Sequence, residues 1–218
     1  PTFEPIAPVR GLTNRSGGKM GYAVARAARE AGARVLLVSG PTALAAPFGV
    51  ERMDVETAQQ MADAVMAQVA QAQVFIATAA VADWRPAQPH SQKQKKSADA
   101  PPPSIALQTN PDILAAVAAL PQPPYCVGFA AESENLIAHA SAKRARKNVP
   151  LLVGNLGPET FGQDDNRLEL FDASGHHPLG SGRKIDLART LIVEIARRLA
   201  ASDTLEREQA RIQTPPGA

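Results

Sequence analysis

Four short apolar runs punctuate this chain: Val35-Leu36-Leu37-Val38, Val74 to Ala79, Tyr125 to Ala130 and Leu151 to Asn155. None alternates apolar with polar residues, so a strand built from any of them presents apolar side chains on both sides and must be covered on both faces. Helical patterns fill the intervals. Ala23, Val24, Ala27 and Ala28 recur at helical spacing after Met20, with Gly32 placed to cap the end. Thr57 to about Ala70, Pro111 to Leu120 with proline in its first turn, and Asn135 to Lys147 follow. Strands that need two covered faces, separated by helices that can cover them, predict a doubly wound, Rossmann-like α/β fold with a mostly parallel sheet and helices on both faces. Ligands of such sheets bind beyond the carboxyl ends of the strands.

Several segments depart from this rhythm. Arg167 to Phe171 alternates in the strand manner and Ser174-Gly175 can turn it toward a partner, which predicts a small antiparallel addition. Ile185 to Ala201 is an amphipathic closing helix, so residues 1–201 form the expected domain and 202–218 a frayed polar tail. Asp83 to Pro103, rich in Pro, Gln, Ser and Lys, is too polar to bury and is expected to be a flexible lid or a dimer arm. Pro1 to Val9 is proline-rich and shows no strand pattern, although a doubly wound sheet would normally place a strand there or upstream.

Composition narrows the function classes. With 218 residues, 44% of them hydrophobic, the chain can bury one core. No apolar run approaches the roughly 20 residues of a membrane span and no leader pattern is present, so a soluble cytoplasmic protein is expected. Cys126 is the sole cysteine, which excludes an intrachain disulfide and a multi-cysteine metal site. The four histidines have no spacing that brings them together as ligands or a base, so no protein metal site is expected. A net charge of +2 and 4% aromatic residues argue against nucleic acid. Two basic knots, Lys93-Lys95-Lys96 and Lys143-Arg144-Arg146-Lys147, suit a small multiply charged anion better.

The run Asn14-Arg15-Ser16-Gly17-Gly18-Lys19-Met20-Gly21 is the strongest local signal for such an anion. Paired glycines let backbone approach a ligand, Ser16 and Asn14 offer short hydrogen-bonding groups, and the N–H groups of a helix start favour phosphate. Its spacing matches neither the Walker loop nor the dinucleotide fingerprint, and a nicotinamide dehydrogenase is disfavoured for that reason.

Taken with Pro1-Thr2, Glu4-Pro5-Ile6, Pro8-Val9-Arg10, Ala79-Ala80-Val81-Ala82-Asp83-Trp84, Lys93-Gln94-Lys95-Lys96, Asn110-Pro111-Asp112-Ile113, Gly128 to Glu132 and Lys143 to Asn148, the cradle falls in a characteristic order. The chain, from Pro1 to about Ala201, resembles the phosphopantothenoylcysteine synthetase domain of the bacterial coenzyme A pathway. The resemblance implies a ligase in which CTP, with Mg²⁺, activates 4′-phosphopantothenate as an acyl-cytidylate and L-cysteine then displaces CMP. It implies that Asn14 holds the acyl-cytidylate, that Arg10 lies on the same approach, and that Lys93 belongs to a segment closing over the substrates. It places Ser16, Gly18, Lys19 and Met20 on the nucleotide phosphates, Ala79, Asp83, Asp112, Ile113 and Phe129 around ribose and base, and Lys143 and Lys147 on the triphosphate. It also implies a homodimer, while the composition already argues against a nucleic-acid or membrane partner. On residue type alone Asp83 and Asp112 are helix or turn caps. Family members usually carry arginine where Phe3 stands, aspartate at Ala7, serine at Gly17, isoleucine at Gln94 and aspartate at Leu156. A nucleotide-binding relative without ligase activity is the alternative these departures leave open.

Overall fold

A computed structural model describes residues 1–92, 104–156 and 162–213. Its centre is a five-stranded sheet in the order β5 (Val74–Ala77), β8 (Tyr125–Glu132), β9 (Leu151–Leu156), β10 (Asp165–Asp172), β11 (Gly175–Arg183), numbered in chain order. β8 lies between β5 and β9, parallel to both, while β10 and β11 add an antiparallel hairpin at the β9 edge. The expected mostly parallel sheet with a small antiparallel addition is therefore present; the hairpin turn is Ala173-Ser174, with Gly175 the first residue of β11 paired to Asp172.

Period-two alternation in the central strands separates two apolar layers. Cys126 and Ala130 of β8, Leu152 of β9 and Phe171 of β10 face α2 (Ala58–Gln68), α3 (Ile113–Ala118) and α4 (Leu136–Lys147). Val127, Leu151, Val153, Leu168 and Leu170 face the other way, onto α1 (Lys19–Glu30) and α5 (Lys184–Gln213). Gly128 marks where the first layer is tightest, because a Cβ there would lie 2.6 Å from Leu114 Cδ2 and 2.7 Å from Leu152 Cδ1. Cys126 is buried in that layer, and desolvation pushes its thiol up to about 11, which removes it as a nucleophile. α1 ends as expected, with Gly32 at φ +94° just beyond it.

Four features differ from the sequence expectations. Residues Phe3–Ala7 form β1, which pairs antiparallel with β2 (Arg10–Thr13). Proline had masked the strand, but a two-stranded ribbon leaves Pro5 without a ladder bond it must donate, while Thr2, Glu4 and Ala7 supply the buried side. Glu4 then accepts from the Ala58 N–H at 2.9 Å, placing a carboxylate on the first turn of α2 beside the Thr57–Gln60 capping box. The short charged segment Glu51–Asp54 forms β4, parallel to β3 (Leu36–Ser39). The polar excursion after Asp83 is bracketed by an antiparallel pair, β6 (Trp84–Pro86) and β7 (Leu107–Thr109). Finally, α5 does not end near Ala201 but continues to Gln213, through a stretch that contains no glycine or proline and from Leu205 onward is made mostly of Leu, Glu, Arg, Gln and Ala. None of the described helices is long and apolar enough to cross a membrane.

Candidate functional site

β3 and β5 end at the same edge of the fold, and the chain segments leaving them line a narrow cleft of about 60 Å³ with the start of α1. Ser16, Gly18 and Met20 come from the loop and first turn of α1, Ser39, Gly40 and Thr42 from the end of β3, and Thr78 and Ala79 from the end of β5. Gly18 is the N-cap of α1 at φ +78°, with no side-chain cap on the first-turn N–H groups. Those donors are what a phosphate needs. Gly21 lets the helix start approach the strand end, since a Cβ there would lie 2.7 Å from Thr78 Oγ1. Gly40 packs on the carbonyl of Pro1, leaving no room for a side chain.

From Thr78 the chain runs as a strip to Asp83, held on both sides by amide side chains. Asn14 Nδ2 donates to the Ala80 carbonyl at 3.0 Å. Asn110 Nδ2 donates to the Ala82 carbonyl at 2.8 Å, its Oδ1 accepts from Arg85 at 2.8 Å, and its backbone N–H donates to the Asp83 carbonyl at 2.9 Å. Thr2, fully buried, accepts from the Ala82 N–H at 3.1 Å through its hydroxyl, while its carbonyl accepts from the Thr13 hydroxyl at 2.7 Å. The strip thus joins the cradle to a second cluster. There Asp112 caps α3, accepting from the Ala115 N–H at 3.1 Å, and its other oxygen accepts from Lys147. Burial lowers the Lys147 ammonium below the usual lysine range, opposed by the attraction of Asp83. A partly desolvated cation of this kind gains from an added anion.

The structure therefore brings Ser16, Gly18, Met20 and Ala79 together, puts Asn14 beside them through Ala80, and groups Asp83, Asp112, Ile113 and Lys147 at the other end of the strip. Asp112 is a helix cap, as its residue type alone suggested, and an ion-pair partner as well. Lys143 is half-exposed on α4, one turn before Lys147. Phe129 is half-buried on β8 against the apolar layer under α1 and α5. Lys19 departs from the expected geometry: its ammonium is 2.6 Å from Asp164 Oδ1 and 3.1 Å from the Gly162 carbonyl, on the loop before β10. Arg10 begins β2 and Asn14 follows its end, so their Cα atoms are roughly 13 Å apart at strand rise. Lys93 lies outside the described residues. Sequence reasoning missed Thr2, Ser39, Thr42, Thr78 and Asn110 as site builders; short polar residues at strand ends were the available signal.

Among the described residues no three His, Cys, Asp or Glu side chains are grouped to hold a metal. A larger open groove of about 660 Å³ lies elsewhere, between the β10–β11 turn and α5, lined by Asp172, Glu194, Arg197 and Arg198 among others. Its charges answer each other. Burial would raise the Asp172 carboxyl, but hydrogen bonds from Ser174 and Arg198 hold it well below the carboxylate range. Arg197, and then Arg198, lower Glu194 to about 2. A carboxylate depressed on folding stabilises the native state above its unfolded value and ceases to do so as it is protonated. Unfolding midpoints followed against pH are therefore expected to fall between about pH 4.5 and 2, and more shallowly in Glu194→Gln; equal slopes for the two proteins would refute the assignment.

A mostly parallel sheet covered by helices on both faces, with a glycine-led helix start at the carboxyl ends of its strands, defines the class of doubly wound α/β proteins. Within that class the chain belongs to the DNA/pantothenate metabolism flavoprotein C-terminal domain family, whose model matches residues 1–199. It is 49% identical over 179 residues to the coenzyme A biosynthesis bifunctional protein CoaBC of Vibrio parahaemolyticus, covering 80% of this chain and 45% of that protein. It is 46% identical over 203 residues to the CoaBC protein of Escherichia coli K12, covering 91% and 50%. The chain thus spans about half the length of the curated relatives it matches. Among solved structures it is similar to the C-terminal domain of a CoaBC protein, with a TM-score of 0.78, 36% identity and 92% of each chain covered. A Cab2 H337A variant in complex with phosphopantothenate-cysteine shares the fold, with a TM-score of 0.76 at 14% identity over 94% of this chain and 86% of that one. The resemblance drawn from the motifs is borne out at the level of family and fold.

Proposed function

We propose that this chain joins 4′-phosphopantothenate to L-cysteine, using CTP, through an acyl-cytidylate. The observation that carries the reading is the strip 78–83, which connects an uncapped helix start suited to phosphate with Asn14 on one side and the Asp112–Lys147 pair on the other. The carboxylate oxygen of phosphopantothenate attacks the α-phosphorus of CTP and pyrophosphate leaves. The cysteine amine then attacks the acyl carbon, the C–O bond to CMP breaks, and the amine proton passes to solvent.

Carboxylate and triphosphate repel, so the protein must supply positive potential before chemistry begins. The first-turn N–H groups of α1 would take phosphate oxygens, with Lys143 and Lys147 approaching from α4. Asn14, neutral, would donate to the acyl oxygen without adding charge. Mg²⁺ bound with the nucleotide would neutralise part of the phosphate charge, while Asp83 would lie near the ribose and base. Lys93 would close over the substrates and exclude water.

A homodimer is part of the same reading. Trp84 is 57% exposed and Leu107 50% on the β6–β7 hairpin, and Val9 is 70% exposed on the neighbouring β1–β2 hairpin, an apolar set that a second copy would cover. Arg10, remote from Asn14 in its own chain, could then serve the partner's site. Incubation with phosphopantothenate, cysteine, Mg²⁺ and CTP is expected to give CMP, pyrophosphate and a cysteine-dependent amide. Tight CTP binding without product would identify instead a nucleotide-binding relative that lacks the ligase step.

A further inference from the structure

The cleft wall opposite the start of α1 is the irregular segment Gly40–Leu44, and nothing in a strand or helix dictates its shape. Hydrogen bonds do. Thr42 Oγ1 donates to the Gly17 carbonyl at 3.2 Å and accepts from the Leu44 N–H at 3.3 Å, so one hydroxyl ties the wall to the cradle. The Leu44 carbonyl in turn accepts from an Arg52 Nη at 2.7 Å. Arg52 comes from β4, its side chain only 21% exposed, with Nε 2.6 Å from Asp54 Oδ1 and the guanidinium carbon 5.7 Å from the centre of the Tyr22 ring. Since Ser39 spends its hydroxyl proton on the Gly40 carbonyl, Tyr22 donates to Ser39 Oγ at 2.9 Å, closing the other end of the wall.

The consequence lies in one peptide plane. The Gly17 carbonyl and the Gly18 N–H point in opposite directions across a trans peptide bond, so whatever holds the carbonyl aims the N–H. Thr42 holds the carbonyl, and the Gly18 N–H makes only a long contact with Ser16 Oγ at 3.4 Å, leaving it available to a stronger acceptor. Arg52 does not line the cleft. We infer that Arg52 is a positioning residue for nucleotide binding, acting through Leu44 and Thr42 to aim the Gly17–Gly18 peptide at a phosphate of a nucleoside triphosphate.

This inference rests on the cradle being the nucleotide site, and the test separates the two. Calorimetry with CTP and Mg²⁺ is performed on the parent chain and on Arg52→Met, Thr42→Val, their double variant and Thr42→Ser. Methionine retains packing on Tyr22 but loses the donors, and valine keeps the shape of threonine without the hydroxyl. Each single variant is expected to weaken CTP binding roughly 5- to 10-fold, the worth of one polar contact. The double variant is expected to be no worse than about the weaker single, because both break one relay. Thr42→Ser should stay within about twofold of the parent. KM for CTP should rise while KM for phosphopantothenate stays level, a split that general loosening of the fold would not produce. A parent that fails to bind CTP overturns the reading of the cradle itself. A parent that binds, with Arg52→Met and Thr42→Val binding equally well or with their effects multiplying in the double variant, overturns the relay alone.

Discussion

Asn14→Asp is expected to lower amide formation by about 100- to 1000-fold, the usual loss when a donor aimed at developing charge is removed, while some pyrophosphate release from CTP survives. The geometry explains both halves of that expectation. In the parent, Asn14 Nδ2 donates to the Ala80 carbonyl at 3.0 Å and so sits where the end of β2 meets the strip leaving β5. Aspartate puts an acceptor opposite that carbonyl, and two acceptors repel. It also adds a negative charge beside the place where a carboxylate and a triphosphate must already be brought together. The helix-start donors that would bind the nucleotide are untouched, so activation is retained better than the attack of cysteine. Rapid-quench measurement of pyrophosphate against CMP in the presence and absence of cysteine checks this. Parent-like turnover would remove Asn14 from the mechanism and leave it as a strip anchor.

Gly18→Val is expected to abolish detectable CTP binding and to lower stability by about 1–2 kcal/mol, the cost of a left-handed residue with a Cβ, and more for a β-branched one. Space is not the difficulty, since a Cβ there would lie 3.6 Å from Thr42 Oγ1 and 3.7 Å from Leu44 Cδ1 and Tyr22 Cδ2, ordinary contact distances. The backbone is. At φ +78° Gly18 turns the chain into α1, and a residue that refuses this angle rotates the first-turn N–H groups away from the cleft. For a chain of this size that stability loss corresponds to a melting shift of roughly 2–8 °C. Gly17 provides the contrast: it has no positive φ, and a Cβ there meets nothing within 4 Å. Gly17→Ser, which restores the residue the family usually carries, is expected to bind CTP within about twofold of the parent. Equal losses in both variants would show that bulk rather than backbone angle governs the loop.

How far the site could be foreseen depends on whether a residue's role is local. Gly18 at the head of a helix, Gly32 past its end and Asp112 before α3 announce themselves through neighbours one to four positions away. The partner of Lys19 does not. Asp164 lies 145 residues further on and reaches Lys19 only because α5 packs against α1 and the loop before β10 meets their first turns. Proline misled at β1 for a related reason. It argues against a strand that needs a ladder bond from every residue, and only the ribbon with β2 shows that Pro5 need not give one. Likewise the short charged strand β4 has no periodicity of its own and is recruited by β3.

By itself the sequence determined the layering of the sheet between two helical faces, because runs such as Tyr125–Ala130 and Leu151–Val153 are apolar on both sides and must be covered on both. It also singled out Asn14 to Gly21 as the place where the proposed anion would be held, since paired glycines at a helix start expose backbone donors. The tertiary structure decided what meets that place. The cradle faces Thr42, the strip faces Asn14 and Asn110, Lys147 meets Asp112, and Lys19 is drawn aside to Asp164. Each of these contacts joins distant segments, and their distances follow from how the sheet and helices pack rather than from any local preference along the chain.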